Sequence, residues 1–158
     1  FLGFSVGSAP IVSFHYGADN RSELKSVFRK SAVIIGVTAV VMVTASELLS
    51  HPLSSAFVGY DPDLLEMTVH GFRLFALNYL FCGVNIYASA FFTALCNGLI
   101  SALISFARTL LLRGGMVLLL PLLWGLDGIW WAVVAAEGLA VLVSLAFLIS
   151  QRKRYHYA

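Results

Sequence analysis

Glu137 stands ten residues after Asp127, a rise of about 15 Å along a helix, which puts a carboxyl group near the midplane of an apolar segment. Ionisable groups at that depth are costly and as a rule functional. Glu137 would therefore either bind a proton or order the surrounding helices through hydrogen bonds. Arg73, seven residues past Glu66, lies about 10 Å inside the outer end of its helix. It could pair with an acid in an outward-facing cavity and act in a charge network with Glu137, or it could snorkel to the headgroups. His70, three residues earlier on the same face, could tune such a site or simply be solvated. Asn78 and Asn85 are seven apart and share a helix face, with Tyr79 and Tyr87 on the same segment. These four are candidates to line a substrate cavity, since amides and phenols can bind polar groups while aromatic faces attract positive charge. Interhelical hydrogen bonding is the alternative.

Other chemistry finds little support. No Gly-rich phosphate loop, His-Glu-x-x-His pair or cysteine cluster is present, so ATP hydrolysis and metal-dependent reactions have no visible apparatus, and no enzyme, cofactor or metal is expected. Cys82 and Cys96 both lie in apolar runs and read as small packing residues. The net charge of +2 gives no reason to expect nucleic acid as a partner.

The elements that must position these residues are membrane helices. Of 158 residues, 59% are hydrophobic and 11% charged, against about 25% charged in an ordinary soluble domain. Ser31 to Ser46 and Leu74 to Ala107 contain no Asp, Glu, Lys or Arg. The expected fold is all-α, a polytopic transmembrane bundle of about five helices over 1–16, 31–50, 63–95, 99–120 and 128–150. Residues 1–16 give only about 24 Å of helix, short of a bilayer core of about 30 Å, and read as a truncated span of a longer protein. Gly3 and Gly7 permit close helix packing there, and Pro10 would bend it. Asn20-Arg-Ser-Glu23 reads as a capping box opening an amphipathic helix at the membrane surface over 20–30. Asp61-Pro62-Asp63 is a helix start. The long third span is expected to tilt, to bend near Gly83 or to extend beyond the bilayer, and Asn97-Gly98 is the best turn before the fourth.

Basic residues orient the bundle. Arg21, Lys25, Arg29, Lys30, Arg108, Arg113, Arg152, Lys153 and Arg154 fall toward one side if connections alternate, nine of the ten Lys and Arg residues. The opposite segments, Glu47 to Glu66 and Pro121 to Asp127, have none. The positive-inside rule then places the C-terminus in the cytoplasm of a multi-pass protein of the plasma or inner membrane. Arg108 and Arg113 read as topology signals that could neutralise acids or contact lipid phosphates, and Arg152, Lys153 and Arg154 as topology signals or anionic-lipid contacts.

Three strings resemble the multidrug and toxic compound extrusion family, and in its order: Ala9-Pro-Ile-Val-Ser-Phe-His-Tyr-Gly-Ala-Asp-Asn20; Ala90-Phe-Phe-Thr-Ala-Leu-Cys-Asn-Gly98, followed ten residues later by Arg108; and Leu120-Pro-Leu-Leu-Trp-Gly-Leu-Asp-Gly-Ile-Trp130, followed by Glu137. The resemblance implies helices eight to twelve of a twelve-helix, two-lobe transporter, with the N-terminal lobe missing. It also implies efflux of cationic drugs or amphipathic organic compounds by antiport against a proton (H+) or sodium (Na+) gradient. Some family members carry an acidic cation ligand in the third of these helices, whereas Met67 to Leu95 contains no acid. Coupling would then rest on the missing lobe or on Glu137. A lipid-linked precursor flippase of related architecture is an alternative, and so is a membrane scaffold that does not transport.

Overall fold

The computed structural model describes residues 1–157, and among them every regular element is helical. Helix α1 (Leu2–Gly17) is followed by α2 (Arg21–Val58), α3 (Pro62–Ala76), α4 (Tyr79–Ala94) and α5 (Gly98–Phe106). A π-helical segment (Ala107–Arg113) then leads into α6 (Gly114–Tyr155). Two stretches, α2 and Gly98–Tyr155, are each long and apolar enough to cross a membrane, and α3 with α4, bent by 41°, is a third if taken as one span. With sixteen residues, α1 does not reach that length.

Local signals explain most of the boundaries. Asn20 caps α2 by accepting from the Glu23 amide. Asp61 caps α3 by accepting from the Asp63 and Leu64 amides, with Pro62 in the first turn. Cys96 takes a positive φ and Asn97 accepts from the Ile100 amide, which turns α4 into α5. Each side chain satisfies donors that the first turn leaves orphaned.

Three expectations are corrected. The amphipathic stretch 20–30 is not a separate surface helix. It forms the first turns of α2, because Leu24 and Phe28 turn inward and Phe28 joins an aromatic cluster with Tyr87, Phe91 and Tyr157 at ring separations of 5.0 to 6.2 Å. The third span bends at Leu77–Asn78 rather than at Gly83. Gly83 instead permits close approach, since a Cβ there would lie 2.7 Å from the Phe1 ring and 3.0 Å from Ile35. Finally, the fourth and fifth spans meet with no loop between them. The helix reverses at Gly125, whose φ of 60° and ψ of −132° only glycine adopts readily. Gly128 then packs against the Leu120 carbonyl, where a Cβ would collide.

The reversal sorts the chain into two ends. At one, Asn97 donates to the Tyr155 hydroxyl and the Tyr16 ring packs at a tilt against Tyr155, 5.6 Å between centroids, so the α1–α2 turn, the α4–α5 turn and the C-terminal segment gather there. At the other, Arg73 of α3 reaches Ser50 of α2 and His70 reaches Asp127, just past Gly125.

Candidate functional site

The centre of the site is the carboxylate of Glu137, 1% exposed and enclosed by α4, the π-helical segment and the second arm of α6. Arg108 Nε donates to Oε1 at 2.8 Å and to Oε2 at 2.9 Å. Arg113 Nη2 donates to Oε1 at 2.6 Å. Asn85 Nδ2 donates to Oε2 at 2.8 Å and to the Glu137 carbonyl at 3.0 Å. Ser144, two turns beyond Glu137, donates to Asn85 Oδ1 at 2.8 Å and fixes the amide. A buried ion is tolerable only when its lone pairs are met this fully.

The backbone explains why two arginines converge. In an α-helix, residues five apart point about 140° away from each other. Between Ala107 and Arg113 the helix is π, and i→i+5 hydrogen bonding stacks Arg108 over Arg113. Both guanidinium groups then face α6 at the level of Glu137. Side-chain exposure of 20% for Arg108 and 40% for Arg113 marks Arg113 as the outer member of the pair. Of the roles the sequence suggests for these arginines, topology, lipid contact or neutralising an acid, the structure shows the last: both turn inward onto Glu137, an acid the sequence does not single out as their partner.

The other candidates divide. Asn85 is fully buried in the Glu137 network, and Tyr87 is buried among Phe4, Phe28 and Phe91. Packing within the helices therefore occupies both side chains and leaves neither facing an open cavity. Asn78 is buried where α3 breaks from α4, and Tyr79 beside it is partly exposed. Arg73 donates to Ser50 Oγ at 3.0 Å and lies 3.6 Å from Glu47, joining α3 to α2. Its distance from Glu137 in the fold is spanned by no direct bond. Arg152, Lys153 and Arg154 end α6, with Arg154 over the Tyr155 ring at 5.5 Å.

Sequence reasoning did not identify Ser144, Glu47, Ser50 or Asp127 as partners. The i, i+7 spacing of Glu137 and Ser144 and the i, i+3 spacing of Glu47 and Ser50 are the signals that place each pair on one face. A reading that the sequence holds no Gly-x-Ser-x-Gly elbow is corrected on pattern alone, since Gly3-Phe4-Ser5-Val6-Gly7 matches that spacing. The elbow needs a sharp strand-to-helix turn that exposes the serine. Ser5 instead lies inside α1, 2% exposed, and its hydroxyl has no hydrogen-bond partner among the described residues. That geometry offers no activated nucleophile. Among the described residues, no group of three His, Cys, Asp or Glu side chains could hold a metal ion.

Comparison with known proteins places this arrangement in context. A family model described as MatE matches residues 1–116. The chain is similar to the multidrug export protein MepA of Staphylococcus aureus (strain MSSA476), with 23% identity over 157 residues. It is also similar to MepA of Staphylococcus haemolyticus (strain JCSC1435), with 20% identity over 153 residues. Each alignment covers 97% of this chain and 33% of the relative, so the chain spans about a third of the length of these curated relatives. No solved structure matches it.

Proposed function

Because the chain belongs to the MatE family, we propose that it forms part of the C-terminal lobe of a multidrug efflux transporter. The observation that carries this reading is the family match over residues 1–116, joined by the similarity to proteins named for multidrug export. Transport is an activity of the whole protein, in which an N-terminal lobe faces this one across the substrate path. Small organic cations or amphipathic drugs cross by alternating access, and a proton or sodium gradient drives the exchange.

Within the chain, Asn78 and Tyr79 are the proposed substrate contacts, because the bend between α3 and α4 frees polar groups within an apolar span. Asn85 and Tyr87 support them from inside the packing. Glu137, with Arg108 and Arg113, is the node of the charge network. Arginine has no acceptor, so every bond in this node requires Glu137 to accept. A proton or sodium ion reaching the carboxylate must displace a guanidinium group, and Arg113 is the more accessible of the two. The link between Arg73 and Glu47 closes the opposite end of the lobe. The basic residues at the end that holds Arg152, Lys153 and Arg154 favour a cytoplasmic C-terminus.

The test is ethidium efflux from cells expressing the full-length protein that contains this chain, in a host stripped of its main exporters. Efflux that collapses with a protonophore or on removal of sodium is expected. Ethidium retention equal to that of cells with an empty vector, with the protein confirmed in the membrane and the result repeated for several organic cations, would overturn the proposal.

A further inference from the structure

The buried face of α2 carries Leu24, Ser31, Ile35 and Ala39. The opposite face is exposed and changes character along its length. Its first turns present Lys25, Arg29 and Lys30, which with Ser26, Val33 and Ile34 line an open groove of about 680 Å³. No acidic residue lines that groove, and among the described residues none of its three cations is paired with a carboxylate. Below them the same face is aliphatic: Val33, Ile34, Val37, Val40 and Val41 are all exposed.

We propose that this face of α2 is a binding site for one anionic glycerophospholipid. The lipid phosphate sits among Lys25, Arg29 and Lys30, and an acyl chain runs along the valine and isoleucine stripe. Two features select this occupant. Three unpaired cations need an anion, and the twelve residues from Arg29 to Val41 rise about 18 Å, close to the half-thickness of about 15 Å of a bilayer core. A soluble anion would satisfy the cations and leave the apolar stripe unmatched. A neutral lipid would match the stripe and leave the charges uncompensated. Cations at this level of a membrane draw anionic headgroups with about 1 kcal/mol each, or about fivefold in affinity.

The test uses the purified full-length protein in neutral detergent and follows its thermal unfolding midpoint as lipid is added. Phosphatidylglycerol is expected to raise the midpoint at concentrations at least tenfold below those of phosphatidylcholine, while inorganic phosphate at equal concentration has no effect. The triple variant Lys25→Gln/Arg29→Gln/Lys30→Gln should lose that preference, and Arg21→Gln, at a guanidinium group already paired with Asp19, should keep it. Photoactivatable phosphatidylglycerol on the unmodified protein gives a second readout that does not depend on the variant folding, with crosslinks expected within residues 25–41. Equal effects of the two lipids, stabilisation by phosphate alone, or an absence of crosslinks in 25–41 would each overturn the site. A Ser26→Cys position that resists a soluble maleimide after delipidation would show that another protein segment covers the groove, and would overturn it too.

Discussion

Replacing Glu137 by Gln keeps the shape of the side chain and removes its charge. Three donor groups, Arg108 Nε, Arg113 Nη2 and Asn85 Nδ2, then face an amide with only one acceptor oxygen. Removing one partner of a buried ion pair costs about 3–5 kcal/mol, because the remaining charge is stranded away from water. Arg108, with a side chain 20% exposed, carries most of that penalty, while Arg113, at 40%, is less enclosed by the fold. Arg113→Gln alone leaves Arg108 paired with Glu137 and is expected to cost about 1–2 kcal/mol, the range for losing one charged hydrogen bond at a partly exposed site. The double variant Glu137→Gln/Arg113→Gln strands one cation instead of two. Its loss should fall short of the sum of the single losses by about 1–3 kcal/mol. Cys82, buried and three residues before Asn85 on α4, is a local reporter. With every other cysteine of the full-length protein replaced by Ser, the denaturant midpoint at which Cys82 reacts with a maleimide follows opening of this site. A Glu137→Gln variant within about 1 kcal/mol of the parent, or an Arg113→Gln variant as costly as Glu137→Gln, would refute the reasoning that the carboxylate bears the load of both arginines.

Further outcomes depend on single contacts. Gly125→Ala meets open space around its Cβ, so any cost is backbone strain at positive φ. About 1–3 kcal/mol is expected in the unfolding midpoint, and a neutral result would mean that the reversal tolerates another conformation. Asn97→Ala loses the cap on α5 and the bond to Tyr155. It should cost about 1–2 kcal/mol in the unfolding midpoint, and an unchanged midpoint would mean that neither contact holds the turn. Burial pushes the Tyr157 phenol well above its ordinary range, while its hydroxyl donates to the Leu148 carbonyl. An acid with a raised pKa contributes stability below its unfolded value, near 10, and loses it as pH climbs toward the folded value. Alkaline titration should therefore destabilise the parent above about pH 10, and Tyr157→Phe should flatten that decline in the unfolding midpoint.

The amino-acid sequence by itself determined the class of fold and the helix starts that follow Asn20, Asp61 and Asn97. Uncharged runs the length of a bilayer leave helices as the economical way to satisfy the backbone, and Asn20, Asp61 and Asn97 place their caps because a side-chain acceptor must meet orphaned amides within a few residues. Family membership was legible as well, from the resemblance of short strings, two of which lie within the matched residues 1–116. Glu137 could be singled out by depth alone, since a carboxyl in an apolar run is unusual wherever it points.

Its partners could not. Arg108 and Arg113 read as separate interfacial charges as long as the helix between them is taken to be α, because that geometry turns them apart. Only the π-helical turn brings them to one face, and only the reversal at Gly125 carries Glu137 back to meet them across 24 residues or more of chain. Asn85 and Tyr87 lie in the same helix as Tyr79, yet the packing of α4 against its neighbours encloses the first two and leaves Tyr79 partly open. Local pattern specifies which residues are polar, but the tertiary arrangement decides what each polar group must satisfy, because a buried donor or charge takes its partner from whichever helix the fold brings within 3 Å.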